Sequence, residues 1–243
     1  MDQIEWLMSA FGVEALMVVD DIFNFDIERA KEICRDIVAR GLRIHLQFPN
    51  GVRGDRFDEE LVSPMKKAGT HYMAVAIETV SDKYQKLVRK NLKIEQARRT
   101  IGWAGKHGIE VCGFFMIGFP GETLEEVRGT LDFAVSALLD SMFVSFVTPF
   151  KGTKLRSDMI AGAFGEPAAD DFAGLSELFP MIHNAVLPPG MLVRLRRRAY
   201  WRFYLRPRPL AALLGRMTNT RNIRKVARAV VRRIAEGNPA SVN

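Results

Sequence analysis

The sequence predicts an α/β protein: a partial (β/α) barrel of about five parallel strands over residues 1–160, followed by a basic helical extension over residues 161–243. Three observations carry this. Short apolar runs alternate with helix-period amphipathic segments as far as Lys154. Most of the helix-period segments stop at a glycine, the residue that tolerates the left-handed C-terminal cap. Beyond Lys154 the strand pattern disappears and the charge changes. Gly190–Glu236 holds 14 Lys+Arg against one acid, a local +13, so the remainder carries −6 of the net +7.

In order, residues 1–11 read as a helix with Ile4, Leu7, Met8 and Phe11 on one face, ended by Gly12. Ala15–Val19 is a short strand that stops at Asp20 and Asp21. Asp26 is placed as an N-cap, with Ile27, Ala30, Ile33, Cys34, Ile37 and Val38 on the face that follows and Gly41 as the stop. Leu42–Phe48 is strand-like and Phe57–Ala68 helix-like, with Pro64 pointing to a second helical segment from Ser63. Tyr72–Glu78 is a strand, Ile94–His107 a helix, Ile109–Ile117 a strand. Thr123-x-x-Glu126 is a capping box that opens a helix to about Leu139, and Met142–Thr148 is the fifth strand. Ala168–Phe179, Met191–Leu205, Pro209–Arg216 and Asn219–Ala235 read as helices. A closed eight-stranded barrel usually takes about 250 residues, so an open sheet or partial barrel fits the first 160. The first strand would expose an unpaired edge, predicting poor solubility or oligomerisation.

Composition narrows the classes. With 48% hydrophobic and 26% charged residues, the chain is ordinary globular material, not disordered. Two cysteines, Cys34 and Cys112, exclude a disulfide scaffold and a four-cysteine metal site. The acidic start M-D-Q-I-E is unlike a signal peptide, and uncharged stretches such as Val111–Gly121 fall short of the roughly 20 apolar residues of a span. The expected compartment is the cytoplasm, with reduced thiols.

Parallel α/β folds bind ligands at the carboxyl ends of their strands. Those ends are Asp20-Asp21, the Gln47–Arg53 stretch, Glu78-Thr79, Gly118–Thr123 and Thr148–Thr153. Carboxylates there suit ribose hydroxyls or an ammonium group, and glycines let a flat ring approach the backbone. A nucleoside carrying an amino group is the ligand this edge suits. Taken singly, each feature also has a bland explanation: capping or turn residues at Asp20 and Asp21, a surface acid at Glu78, plain turn chemistry at Gly118–Gly121.

Four strings carry a family resemblance: V-V-D-D-I-F-N-F-D from Val18, M-K-K-A-G-T-H-Y-M-A-V-A-I-E-T from Met65, G-F-F-M-I-G-F-P-G-E-T from Gly113 and P-F-K-G-T from Pro149. They resemble the radical S-adenosylmethionine (radical SAM) enzymes, in particular the branch that often carries a cobalamin-binding domain upstream. A-Y-W-R-F-Y-L-R-P at Ala199–Pro207 resembles the helical tail of that branch. The resemblance implies a partial barrel of the radical SAM type, S-adenosylmethionine as ligand, a [4Fe-4S] cluster, and cobalamin through an upstream domain. It implies that Asp20 and Asp21 meet the methionine amino group and that Glu78 meets the ribose or methionine part. Gly113 through Glu122 would pack against adenine, with Ile117 and Gly118 closest. Val144–Val147 would flank adenine through backbone groups. Arg53 and Lys90 carry over on weaker matches.

The family's C-x3-C-x2-C cluster loop does not occur in the sequence. Iron–sulfur clusters need such thiolates. Cys34 and Cys112 lie 78 positions apart, one on a helix face and one within a strand, and read as buried apolar packing. His45, His71, His107 and His183 show no metal-ligand spacing, so no metal ligand and no catalytic residue is assigned. The expectation is a radical SAM core fragment, inactive by itself, whose intact relatives cleave S-adenosylmethionine reductively to drive chemistry such as cobalamin-dependent methylation or cyclisation of a small-molecule substrate. The alternatives are a cluster-less nucleoside-binding module, a partner of a separate chain that supplies the cluster loop, and a basic adaptor for nucleic acid or an anionic membrane surface. For the tail arginines, a solvated basic face on a docked helix is the favoured reading over either adaptor role.

Overall fold

Five strands make one sheet in the order β1-β2-β3-β4-β5: β1 (Ala15–Met17), β2 (His45–Val52), β3 (Thr70–Glu78), β4 (Glu110–Ile117) and β5 (Ser141–Phe146). The strands are parallel, as the alternating pattern requires, and β1–β2 and β2–β3 pair accordingly. The helices are α1 (Asp2–Phe11), α2 (Ile27–Ala39), α3 (Glu59–Lys67), α4 (Asp82–Leu87), α5 (Ile94–Lys106), α6 (Leu124–Ser136), α7 (Lys154–Ile160), α8 (Pro189–Tyr204) and α9 (Pro207–Met217). This computed structural model describes residues 1–164, 178, 180, 182 and 187–217. The helices expected at 168–179 and 219–235 lie outside the described residues.

Three local expectations are corrected. β2 runs on to Val52 instead of ending at Phe48, because Pro49-Asn50-Gly51 is absorbed as an irregularity in the β2–β3 register. Pro49 has no N–H to lose there, and Gly51, at φ 95°, admits no side chain: a Cβ would sit 3.1 Å from that of Ala76. Pro64 does not divide α3; the helix continues, and the Ala68 N–H donates to the Pro64 carbonyl at 2.8 Å. α4 and α7 were not expected, because six or seven residues show too little of a helical period to read.

The chain forms two compact units. The first comprises Met1–Ile77, Gln85–Phe114 and Ala137–Phe143. Asp26 caps α2 as expected, its carboxylate accepting the Arg29 N–H at 3.0 Å. Ala30, Cys34 and Ile37 are buried from α2, and Leu61, Val62 and Met65 from α3. Val38 is exposed instead, and Lys31 is buried. Its ammonium donates to Asp58 at 2.7 Å, Glu28 at 3.1 Å and Glu60 at 3.3 Å, and the Asp58 bond above all holds it charged against the cost of burial. Asp58 also caps α3 through the Leu61 N–H, so one carboxylate joins two helices. β1 ends the sheet with Met17 exposed beside it.

The second unit comprises Glu78–Tyr84, Phe115–Ser136 and the residues from Val144 onward. Thr123 and Glu126 form the expected capping box: the Thr123 N–H donates to the Glu126 carboxylate at 2.9 Å, and the Glu126 N–H to the Thr123 hydroxyl at 3.3 Å. α8 packs on α6, with Arg202 donating to Asp132 at 2.6 Å and Arg206 to the Val135 carbonyl. α8 also engages β5. Val144 donates its N–H to the Tyr200 hydroxyl at 3.0 Å, and its carbonyl accepts from Arg196 at 3.4 Å. Arg196 is 3% exposed and lies 4.2 Å from the centre of the Phe146 ring, which stabilises the buried cation.

Candidate functional site

In the second unit, the site is built on the turn after β4. Ile117 ends the strand fully buried, and its carbonyl accepts the Val147 N–H. Gly118 follows at φ 86°, a conformation that side chains resist, and a Cβ there would lie 3.3 Å from Leu192 Cδ1. Glu122, itself fully buried, reaches back under the turn. Its carboxylate accepts the Gly118 N–H at 2.6 Å and the Phe119 N–H at 3.0 Å. Burial pushes its acid group up to about 7, against the pull of those two N–H donors.

The segment after β3 braces the same turn. The Tyr84 ring stacks on Phe119 with centroids 4.6 Å apart, and its hydroxyl donates to the Pro120 carbonyl at 3.0 Å. Lys83 donates to the Tyr84 oxygen at 3.0 Å and to the Gly121 carbonyl at 3.4 Å. Ser81 donates to Glu126 at 3.0 Å. At the head of this segment stands Glu78, the last residue of β3, at φ 67°. A non-glycine residue in the left-handed region costs energy and persists only where its surroundings impose it. Glu78 thus stands at the carboxyl end of a strand, the edge at which parallel α/β folds bind ligands.

In the first unit, Asp20 and Asp21 are exposed in the turn after β1, and neither makes a side-chain hydrogen bond or ion pair among the described residues. Arg53 follows β2. Its guanidinium forks onto Asp55 at 2.9 and 3.0 Å and donates to the Lys90 carbonyl at 2.9 Å. Burial pushes the Asp55 carboxyl up, but the Arg53 fork prevails and holds it below the usual range. Arg53 and Lys90 therefore meet each other, and most of the Arg53 fork is engaged within the protein. Gly113 lies inside β4, buried.

Sequence reasoning missed several supporting groups. Asn24 is fully buried; its amide donates to the carbonyls of Arg53 and Arg56 and its oxygen accepts the Arg53 N–H, fixing the loop after β2. Nothing in the sequence around Asn24 signalled this role, since its partners are 29 and 32 positions away. Lys83 and Tyr84 gave no signal either. The expectation for Val144–Val147 is also modified. Both polar backbone groups of Val144 go to α8, and the Val147 N–H goes to the Ile117 carbonyl at 3.0 Å, so these groups are not offered to a ligand.

The donor set does not fit an iron–sulfur cluster. Among the described residues no three His, Cys, Asp or Glu side chains are grouped to hold a metal ion. Both thiols are buried, and burial pushes Cys34 up to about 11. Among the described residues, no helix is long and apolar enough to cross a membrane.

A profile of the Radical SAM superfamily matches residues 4–134, more than half of the chain. The chain belongs to the radical SAM superfamily. The chain is 29% identical over 209 residues to the uncharacterized methyltransferase PH0819 of Pyrococcus horikoshii, covering 86% of this chain and 45% of that protein. It is 30% identical over 173 residues to the cytidylyl-2-hydroxyethylphosphonate methyltransferase of Streptomyces wedmorensis, covering 68% of this chain and 32% of that one. It thus spans less than half the length of these two relatives. The fold is shared with the radical SAM methyltransferase TsrM of Kitasatospora setae, solved with cobalamin and a [4Fe-4S] cluster bound. There the TM-score is 0.64 at 18% identity, over 98% of this chain and 54% of that one.

Proposed function

We propose that these residues form the S-adenosylmethionine-binding portion of a radical SAM methyltransferase core, with a small molecule as the methyl acceptor. The observation that carries the reading is the strained Glu78 at the end of β3, in the same unit as the braced Gly118–Glu122 turn. In this reading Gly118 admits the adenine, Glu78 accepts from the ribose or the methionine part, and Glu122 positions the turn from beneath. Asp20 and Asp21 attract the methionine ammonium. The two relatives described above are methyltransferases by name, which favours methyl transfer over other radical chemistry. A cluster held by thiolates from elsewhere would supply reducing power and a cobalamin would supply a methyl carrier; the residues of this chain would position and shield the nucleoside. The thiolates come from polypeptide outside these 243 residues, so this chain alone does not cleave S-adenosylmethionine. The setting is the cytoplasm.

Calorimetric titration with S-adenosylmethionine tests the reading. Binding that falls at least tenfold in both Glu78→Ala and Asp21→Ala supports it. No binding by the wild type, or binding unchanged in both variants, overturns it. The burial of both cysteines also favours a second reading, a subunit completed by a chain that carries C-x3-C-x2-C. Co-purification with such a chain, and S-adenosylmethionine cleavage only by the pair, would establish it.

A further inference from the structure

We propose that the outer face of α8 is a docking surface for an anionic phospholipid membrane. Residues 189–217 contain eight arginines and no acidic residue. Three arginines are engaged inside the unit: Arg196 at Val144 and Phe146, Arg202 at Asp132 and Arg206 at the Val135 carbonyl. Arg194, Arg197 and Arg198 are different. They are exposed, and none has a hydrogen-bond or ion-pair partner among the described residues. Their spacing of three and four puts them on one helix face. With Met191, Leu195 and Trp201 they line an open cavity of about 430 Å³, so that cationic and apolar side chains share one surface.

The same face continues into apolar surface. Trp201 is 51% exposed and Leu205, one turn further, is 71% exposed. α9, packed on α8, exposes Leu210 and Leu214. Three uncompensated guanidiniums call for phosphates. Phosphates and the Trp201 ring alone would suit nucleic acid equally, but a nucleic acid would leave Leu205, Leu210 and Leu214 uncovered, since leucines have no ring on which a base stacks. An anionic bilayer supplies both needs, phosphate for the arginines and acyl boundary for Trp201 and the leucines. This places the basic stretch as a surface anchor and not a span. The inference is independent of the S-adenosylmethionine reading, since none of these residues belongs to that site.

The test is flotation of the full chain with vesicles of phosphatidylcholine containing roughly 30% phosphatidylserine, in about 0.1 M salt, against phosphatidylcholine alone. Each arginine at such a surface contributes roughly fivefold in affinity, so Arg194→Gln/Arg197→Gln/Arg198→Gln together should weaken binding on the order of a hundredfold. The three side chains are exposed, and an unchanged far-ultraviolet spectrum and melting temperature would show that the variant folds. The emission difference between wild type and Trp201→Phe should shift to the blue when serine lipid is added. Equal binding to both vesicle types, or full binding by the triple variant with no shift of Trp201 emission, overturns the proposal. So does tighter binding to a single-stranded oligonucleotide than to the serine vesicles.

Discussion

Glu122 accepts the backbone N–H of Gly118 at 2.6 Å while its side chain is fully buried. The turn after β4 thus rests on a carboxyl group that burial holds near neutrality, at about 7 against an ordinary 4.5. Below pH 4.5 the group is protonated in both folded and unfolded chains, and its contribution is fully present. As the pH rises toward 7, the unfolded chain ionises first and the native state loses up to about 3 kcal/mol. Thermal melts between those limits should show wild-type stability falling with pH and Glu122→Gln falling much less. Parallel profiles would count against it.

Gly118→Ala forces a side chain into a left-handed position and toward Leu192. The expected cost is about 1–3 kcal/mol in urea unfolding, with nucleoside binding weakened further because the turn must shift. Gly121, also left-handed but with open space around it, is the control: Gly121→Ala should cost only the backbone term, about 1 kcal/mol.

Tyr200→Phe removes the acceptor for the Val144 N–H and leaves a buried donor without it. Such a loss costs about 1–3 kcal/mol. Arg196→Met should also destabilise, through the Val144 carbonyl and the Phe146 ring. Urea unfolding of the two single variants and the double variant gives their coupling, which should be non-zero because both act on one residue.

Neither cysteine should react with a thiol reagent in the native state, and both should react in denaturant. Anaerobic treatment of this chain with iron and sulfide should give no [4Fe-4S] absorption band. A stoichiometric band retained in Cys34→Ala/Cys112→Ala would point to adventitious iron; one lost in that variant would overturn the assignment of both thiols as packing groups.

The strand–helix alternation was legible because each element buries one face, and burial writes a period of 2 or 3.6 into the chain. Asp26 and the Thr123–Glu126 pair were legible because caps have fixed spacing. Pro49-Asn50-Gly51 was misleading: its composition is that of a turn, yet pairing with β3 continues past it. Asn24 could not be weighed, because its partners lie 29 and 32 positions away and a buried amide looks like any other in sequence. Glu122 was legible as a strand-end acid. That it lies fully buried beneath the turn was not, since burial is settled only when the chain folds. The left-handed backbone of Glu78 was equally invisible, since a glutamate, unlike a glycine or an asparagine, does not announce such a conformation.

Arg196 and Tyr200, one helical turn apart, occupy the donor and the acceptor that Val144 would otherwise present to a neighbouring strand. Two side chains of a helix here imitate the rung of a ladder. The two edges of the sheet therefore differ: at β5 an incoming strand must first evict a buried cation from an aromatic ring, whereas among the described residues no side chain bonds the outer edge of β1. Any segment that extends this sheet, from the same polypeptide or another, has its easier berth beside Ala15–Met17.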